Sequence, residues 1–347
     1  MLKPLTTAQV AFELGQEIGG EGKNSRTFKA TDPQLGAVIV VKKISKAKLA
    51  DPAVYFSESQ ALYASSHPNV VQIHYACYDD EYIYVAMPLY KNGSVKKLLE
   101  DRHLTVREIV SIGCQVLSGL HNVHSKGLVH FDIKADNVLL SDRRDALISD
   151  FGLAKPLDNG LATPDGIYEP NWPPEALVRR GFDARYDIFQ SGLMLYCMCV
   201  GQDAYKSQFL SYFDAAGAFD SRRYAADIAA GSYPDRTRFP PHIPARLRGV
   251  VKKCLEVDPA DRYQTALEAS NDLAQVDGNE LDWLYSEEAG KKLWKKTVEG
   301  TTYLFTVYPD LKSDLVKSVD GKPFRNQSAG NLKKARPSDI ARILREH

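Results

Sequence analysis

His130-Phe131-Asp132-Ile133-Lys134-Ala135-Asp136-Asn137 crowds carboxylates, a lysine, an imidazole and an amide into eight residues, and Asp150-Phe151-Gly152 follows one short hairpin later. An Asp-Phe-Gly tripeptide by itself is an ordinary loop; in this order and at this spacing the two segments are far more specific than either alone. Upstream, short apolar runs bounded by turns at Phe12 to Ile18, Thr27 to Thr31, Ala37 to Ile44, Val70 to Tyr78 and Tyr82 to Pro88 predict strands. Between the third and fourth, Val54 to Ser65 carries Phe56, Leu62 and Tyr63 at helical spacing and predicts one inserted helix. From Ser94 the pattern turns helical, at Val95 to Leu99, Val106 to Ser125, Pro174 to Arg180, Tyr186 to Val200 and Ile243 to Leu255. A small sheet with one helix thus precedes a larger helical unit that holds both polar segments.

These segments resemble the protein-kinase superfamily, whose catalytic loop reads H-R-D-x-K-x-x-N and whose metal motif reads D-F-G; every specified position matches except Phe131. The resemblance implies an α+β, two-lobed fold over residues 12–276, with an N-lobe at about 12–87, a hinge at 88–93 and a C-lobe at 94–276. It also implies transfer of a phosphoryl group from ATP with Mg2+, or Mn2+, as the metal. Such transfer needs a carboxylate to orient and deprotonate the attacking hydroxyl, hard oxygen ligands for the metal, and positive charge on the moving group. The family pattern gives the first role to Asp132, the second to Asn137 and Asp150, and the third to Lys134.

Ile39-Val40-Val41-Lys42-Lys43-Ile44 resembles the strand that carries the kinase lysine. Strand alternation puts Val38, Val40 and Lys42 on one face, so the pattern selects Lys42, with Val40 over the adenine, and sends Lys43 away. Glu58 stands nine residues before His67-Pro68-Asn69, where the family has its helix glutamate, and an ion pair with Lys42 would hold the lysine against the phosphates. The glycine-rich loop is imperfect: in Gly20-Glu21-Gly22-Lys23-Asn24-Ser25-Arg26-Thr27, Ser25 replaces the third glycine. Gly20 and Gly22 still let backbone amides approach phosphate, with Ser25 and Thr27 entering the next strand. Met87, Leu89 and Tyr90 fall at the gatekeeper and hinge, and Leu139 at the floor of the adenine pocket. Further on, Glu175 and Arg262 occupy the places of a structural ion pair, and Asp187 to Gly192 resembles the start of a central helix.

Two departures bear on control and substrate. Kinases switched by loop phosphorylation have an arginine before the catalytic aspartate; Phe131 cannot pair with a phosphate, so activity is expected not to depend on phosphorylation between Gly152 and Glu175. Tyr168 stands where serine/threonine kinases carry a threonine, and Tyr168-Glu169-Pro170-Asn171-Trp172 matches no acceptor type well. Lys134, two residues after Asp132, is the serine/threonine signature, and it directs the expectation to protein Ser/Thr hydroxyls. A kinase-like phosphotransferase for a small molecule or RNA shares the catalytic residues but usually lacks the Glu175, Asp187 and Arg262 landmarks. A pseudokinase scaffold would fit Ser25, Phe131 and Tyr168 but not the complete transfer set.

Residues 277–347 match no motif. Thr301 to Val307 is strand-like, and Pro337 to Arg345 opens as a Ser338-capped helix, which predicts a small α+β module. From 281 on, thirteen Lys and Arg against nine Asp and Glu make it basic, with Trp283, Trp294, Tyr303 and Phe305 interspersed. Those aromatics read as the module's own core or a docking face. Contact with nucleic acid or a phosphorylated partner through Lys291, Lys292, Lys295, Lys296, Lys333 and Lys334 is the other reading. The whole chain, with 44 basic and 44 acidic residues, has no global field to favour either. Five scattered cysteines in apolar settings read as reduced core thiols, which together with no secretory run and no apolar stretch of ~20 residues points to the cytoplasm and away from membranes. Cys197-Met198-Cys199 reads as helix packing, and His121 with His124 lacks a third ligand for zinc.

Overall fold

The computed structural model describes residues 8–19, 25–48, 56–164 and 171–347. Five antiparallel strands, β1 (Glu13–Gly19), β2 (Ser25–Asp32), β3 (Ala37–Ser45), β4 (Tyr75–Tyr78) and β5 (Tyr82–Pro88), form a sheet in the order β1-β2-β3-β5-β4. The Val/Ile-rich β3 takes the centre because it can bury both faces. Ile39 and Val41 pack with Ala30 and Ala86 on one side, while Ile44 joins Ile83 and Val85 on the other. The inserted helix α1 (Ser57–Ala64) buries Ser59 and Leu62. Val70 to His74 does not extend β4 as its apolar run predicts. Val70 instead makes a parallel bridge to Ile148 in the second lobe, where it is buried in the main core.

The larger lobe is built on helices α2 (Val95–Asp101) and α3 (Val106–Ser125). A capping box closes the start of α3: the Thr105 side chain accepts from the Glu108 N–H, and the Glu108 carboxylate accepts from the Thr105 N–H. Its apolar residues recur at three- and four-residue spacing from Ile109 through Val116 and Leu120 to Val123, all buried. Four short strands follow, β6 (Leu128–Val129), β7 (Val138–Leu140), β8 (Ala146–Ile148) and β9 (Lys155–Pro156), paired β6 with β9 and β7 with β8. The helix α4 (Arg185–Val200) is apolar all round and buried almost from end to end, as a helix in the middle of a lobe must be. Gly192 permits its approach to α7 (Ala245–Cys254), since a Cβ there would lie 2.7 Å from that of Cys254. Helices α5 (Gln202–Leu210), α6 (Ser221–Ala229) and α8 (Ala266–Leu273) complete the lobe, and Pro174–Leu177 forms a 3-10 turn where a longer helix is predicted.

The C-terminal module is a five-stranded antiparallel meander, β10 (Leu284–Glu288), β11 (Lys291–Val298), β12 (Thr301–Val307), β13 (Ser313–Val319) and β14 (Arg325–Asn326), covered by α9 (Pro337–Glu346). Trp283, Trp294, Phe305 and Leu315 form its core with Ile340, Ile343 and Leu344 of α9. Ser338 lies inside the first turn of α9 rather than capping it; Arg336 precedes the helix, and its N–H donates to Asp339. The module also docks on the helical lobe. Leu281 joins the main core, the Tyr285 ring stacks on His242 at 5.3 Å and meets His103 edge-on at 4.8 Å, and Arg107 forks onto Asp282 at 2.6 and 2.9 Å.

Candidate active site

Between the lobes lies a cavity of about 630 Å3. Ser25, Thr27, Val40 and Met87 line it from the sheet, Leu89 and Tyr90 from the connection, and Leu139, Asn137 and Asp150 from the helical lobe. Gly20, Gly22 and Tyr168 lie outside the described residues. Alternation along β3 separates the two candidate lysines. Lys42 turns into the cavity, while the Lys43 ammonium sits 3.7 Å over the Tyr82 ring on the opposite face.

Lys42 Nζ donates at 2.7 Å both to Glu58 Oε1 on α1 and to Asp150 Oδ1. One cation therefore holds two carboxylates from different lobes. Burial works against the lysine's charge, but the two acids outweigh it and hold its pKa above the ordinary lysine value. The Lys42 charge draws Asp150 down from 3.8 to about 2, against its own burial. Glu58 moves the other way: its burial, with the like charge of Asp150, outweighs Lys42 and raises it. The Asp150 side chain stays 45% exposed toward the cavity. Gly152 leaves room for this cluster, because a Cβ there would meet Asp150 Oδ1 at 3.3 Å. Phe151 anchors the tripeptide in the main core, edge-on to His130 at 4.7 Å.

The loop carrying Asp132 is held from α4. Asp187 Oδ2 accepts from the His130 N–H and Oδ1 from the Phe131 N–H, each at 2.8 Å, and His124 Nε2 lies 2.8 Å from the same carboxylate. Three residues along the helix, Gln190 accepts from the Ile133 N–H at 2.9 Å and donates to the Phe131 carbonyl at 3.0 Å. These bonds sustain a left-handed backbone at Phe131 (φ 67°), which an aromatic residue adopts only at a cost of about 1–2 kcal/mol. Asp132 is thereby fixed: its Oδ2 accepts from Lys134 Nζ at 2.9 Å and from Asn137 Nδ2 at 2.7 Å, while its buried Oδ1 has no hydrogen-bond partner.

Asn137 spends its amide nitrogen on Asp132, which leaves its carbonyl oxygen as the remaining polar atom beside Asp150 in the cavity wall. One carboxylate and one amide oxygen fit Mg2+ completed by phosphate oxygens rather than a closed all-protein site. Accordingly, no group of three or more His, Cys, Asp or Glu among the described residues is placed to hold a metal alone. His121 and His124 do not form such a site, His124 being engaged with Asp187.

Phe131 lies in a buried aromatic cluster with Phe182 and Tyr186, their rings 5.0 to 6.2 Å apart and edge-on. An antiparallel bridge between Ala162 and Phe182 ties the segment after Gly152 to the same cluster. Below it, Arg262 forks onto Glu175 at 2.8 and 2.6 Å, with the guanidinium fully buried and 4.8 Å over the Phe189 ring. Sequence reasoning did not single out Gln190 or the cavity-lining Ile18 and Val71. Gln190 was within reach, since it lies three residues from Asp187 and hence on the same helix face.

The protein kinase domain family matches residues 12–273, about three quarters of the chain. Human ribosomal protein S6 kinase alpha-2 is 32% identical over 262 residues, 72% of this chain and 34% of that protein. A probable serine/threonine-protein kinase of Clostridium perfringens is 26% identical over 277 residues, 76% of this chain and 38% of that protein. The yeast serine/threonine-protein kinase STE20 is 26% identical over 250 residues, 70% of this chain and 25% of that protein. The chain thus spans well under half the length of these curated relatives. With its β-sheet lobe, its helical lobe and the polar loop between them, the chain belongs to the protein kinase family, among the eukaryotic-like serine/threonine kinases.

Proposed function

We propose that this protein transfers the γ-phosphate of Mg-ATP to serine or threonine hydroxyls of protein substrates. The observation that carries the reading is the convergence of Lys42, Glu58, Asp132, Asn137 and Asp150 on one cavity and its rim. The apolar part of that cavity, Val40, Met87 and Leu139, suits an adenine, with hinge contacts at Leu89 and Tyr90. Ser25 and Thr27, with Gly20 and Gly22 before them, would cover the phosphates. Lys42, oriented by Glu58, pairs with them, and Asp150 with Asn137 would hold the metal, which supplies charge neutralisation at the transferred group. Asp132 orients the acceptor hydroxyl and takes its proton, and Lys134 balances charge at the same carboxylate.

The serine/threonine assignment follows Lys134 and is supported by the names of the relatives. Activity independent of loop phosphorylation is read from Phe131, an apolar residue packed in the aromatic cluster where switched kinases carry an arginine. Five free cysteines, three of them buried, support a reducing, cytoplasmic setting, and no helix among the described residues is long and apolar enough to cross a membrane. A nucleic-acid role for the module gains no support from its lysines: Lys291 and Lys295 lie on one face of β11 and Lys292 on the other, while Lys296 is buried. The test is to supply purified protein with Mg2+, labelled ATP and a peptide library, and to identify the labelled residue by mass spectrometry. Label on serine or threonine is expected; label only on small molecules or RNA would contradict the reading.

A further inference from the structure

A trough leaves the catalytic loop and ends at the C-terminal module. Its first part, about 670 Å3, begins at Lys134 and Asp136 and runs between α2 and α5 over an apolar floor of Met194, Cys197, Phe209 and Leu210. Its second part, about 450 Å3, shares Glu100, Gln202 and Asp203 with the first and is closed at the far end by Tyr285 and Glu287 of β10. The protein kinase match ends at residue 273, so this far wall lies outside the kinase domain.

Charge along the trough is uneven. Lys134 is paired with Asp132, Lys96 with Asp136, Arg102 with Glu108 and Arg238 with Asp235. Among the described residues, Glu100, Asp101, Asp203 and Glu287 have no ion-pair partner, against one unpaired cation, Lys206. Asp203, Glu287 and His103 line this second part together. Glu287 is also held in place, since Oε2 accepts from the Tyr285 hydroxyl at 2.7 Å while the Tyr285 ring is clasped by His103 and His242. An apolar floor with an acidic far end, continuous with the loop that carries the base, fits an extended cationic peptide.

We propose that the C-terminal sheet is part of the acceptor-binding surface, and that the trough takes a lysine- or arginine-bearing segment of the protein substrate, met by Glu100, Asp101, Asp203 and Glu287. The proposal rests on the reading of the loop at Asp132 as the site of transfer to a protein hydroxyl. It gives the module a task in substrate choice.

The test uses the full chain, Mg-ATP and serine peptides with neutral flanks or with a pair of arginines stepped along either flank. One arginine register should lower KM by about fivefold or more with kcat nearly unchanged, and added salt should shrink the gain. Glu287→Lys should remove most of that gain, leave the neutral peptide and Tm as in the parent, and favour a glutamate-flanked peptide at the same register. The proposal is overturned if no arginine register lowers KM, if the gain survives in Glu287→Lys, or if that variant shifts both peptides alike. Absence of transfer to every peptide contradicts the kinase reading itself, and the proposal with it.

Discussion

Lys42 is the residue on which the two lobes meet, and its charge is shared between Glu58 and Asp150. Because Asp150 is drawn from 3.8 to about 2, its contribution to stability is present above about pH 4 and is lost as pH falls toward 2. Lys42, raised, contributes below its ordinary value and loses that contribution only at strongly alkaline pH. Lys42→Met leaves two carboxylates facing each other with Glu58 buried, so Glu58 keeps its proton to higher pH than in the unfolded chain. Proton uptake of that sign stabilises at low pH, and because Glu58 is already raised in the parent, the Tm of the variant should fall more steeply with rising pH than that of the parent; equal slopes would contradict the shared-charge picture. The choice between Lys42 and Lys43 rested on strand alternation together with the family pattern of a small apolar residue two before the lysine. Gln190 was not singled out, although its spacing from Asp187 sets it on the same helix face.

At the scale of elements, the aromatic cluster of Phe131, Phe182 and Tyr186 packs the catalytic loop against the segment after Gly152 and the start of α4. Under the proposed function, apolar packing there stands where switched kinases pair an arginine with a phosphate. Replacing Thr163 and Tyr168 together should therefore leave turnover within about twofold of the parent, whereas Phe182→Ala should lower stability by about 3 kcal/mol in a denaturant titration and reduce kcat. Loss of turnover in the Thr163 and Tyr168 variant would show that the loop needs its modification sites after all. Helix periodicity located α3 closely and α4 to within a residue, since long amphipathic or apolar stretches have few competing readings. The run at Val70 misled because a bridge to β8, remote in sequence, claims it. In β11, lysines at both inward and outward positions blur the strand period that Trp294 alone would signal.

For the molecule as a whole, Glu175 and Arg262 join chain segments 87 residues apart through a buried fork. Arg262→Ala strands a carboxylate that is only 8% exposed, and should cost about 3–5 kcal/mol in urea unfolding. A cost under about 1 kcal/mol would mean the pair is dispensable. The C-terminal module was visible in the sequence as a unit of aromatic and basic residues, but its seat on the helical lobe was not, because the contacts of Tyr285 with His103 and His242 join residues without any local pattern. Under the proposed function Asp132 is the base, and the nucleotide binds without it. The most direct measurement compares Asp132→Asn with the parent for both turnover on a serine peptide and Kd for Mg-ATP. Turnover should fall by about 10²–10⁴-fold with Kd within about twofold; transfer at the parent rate by the variant would contradict the assignment.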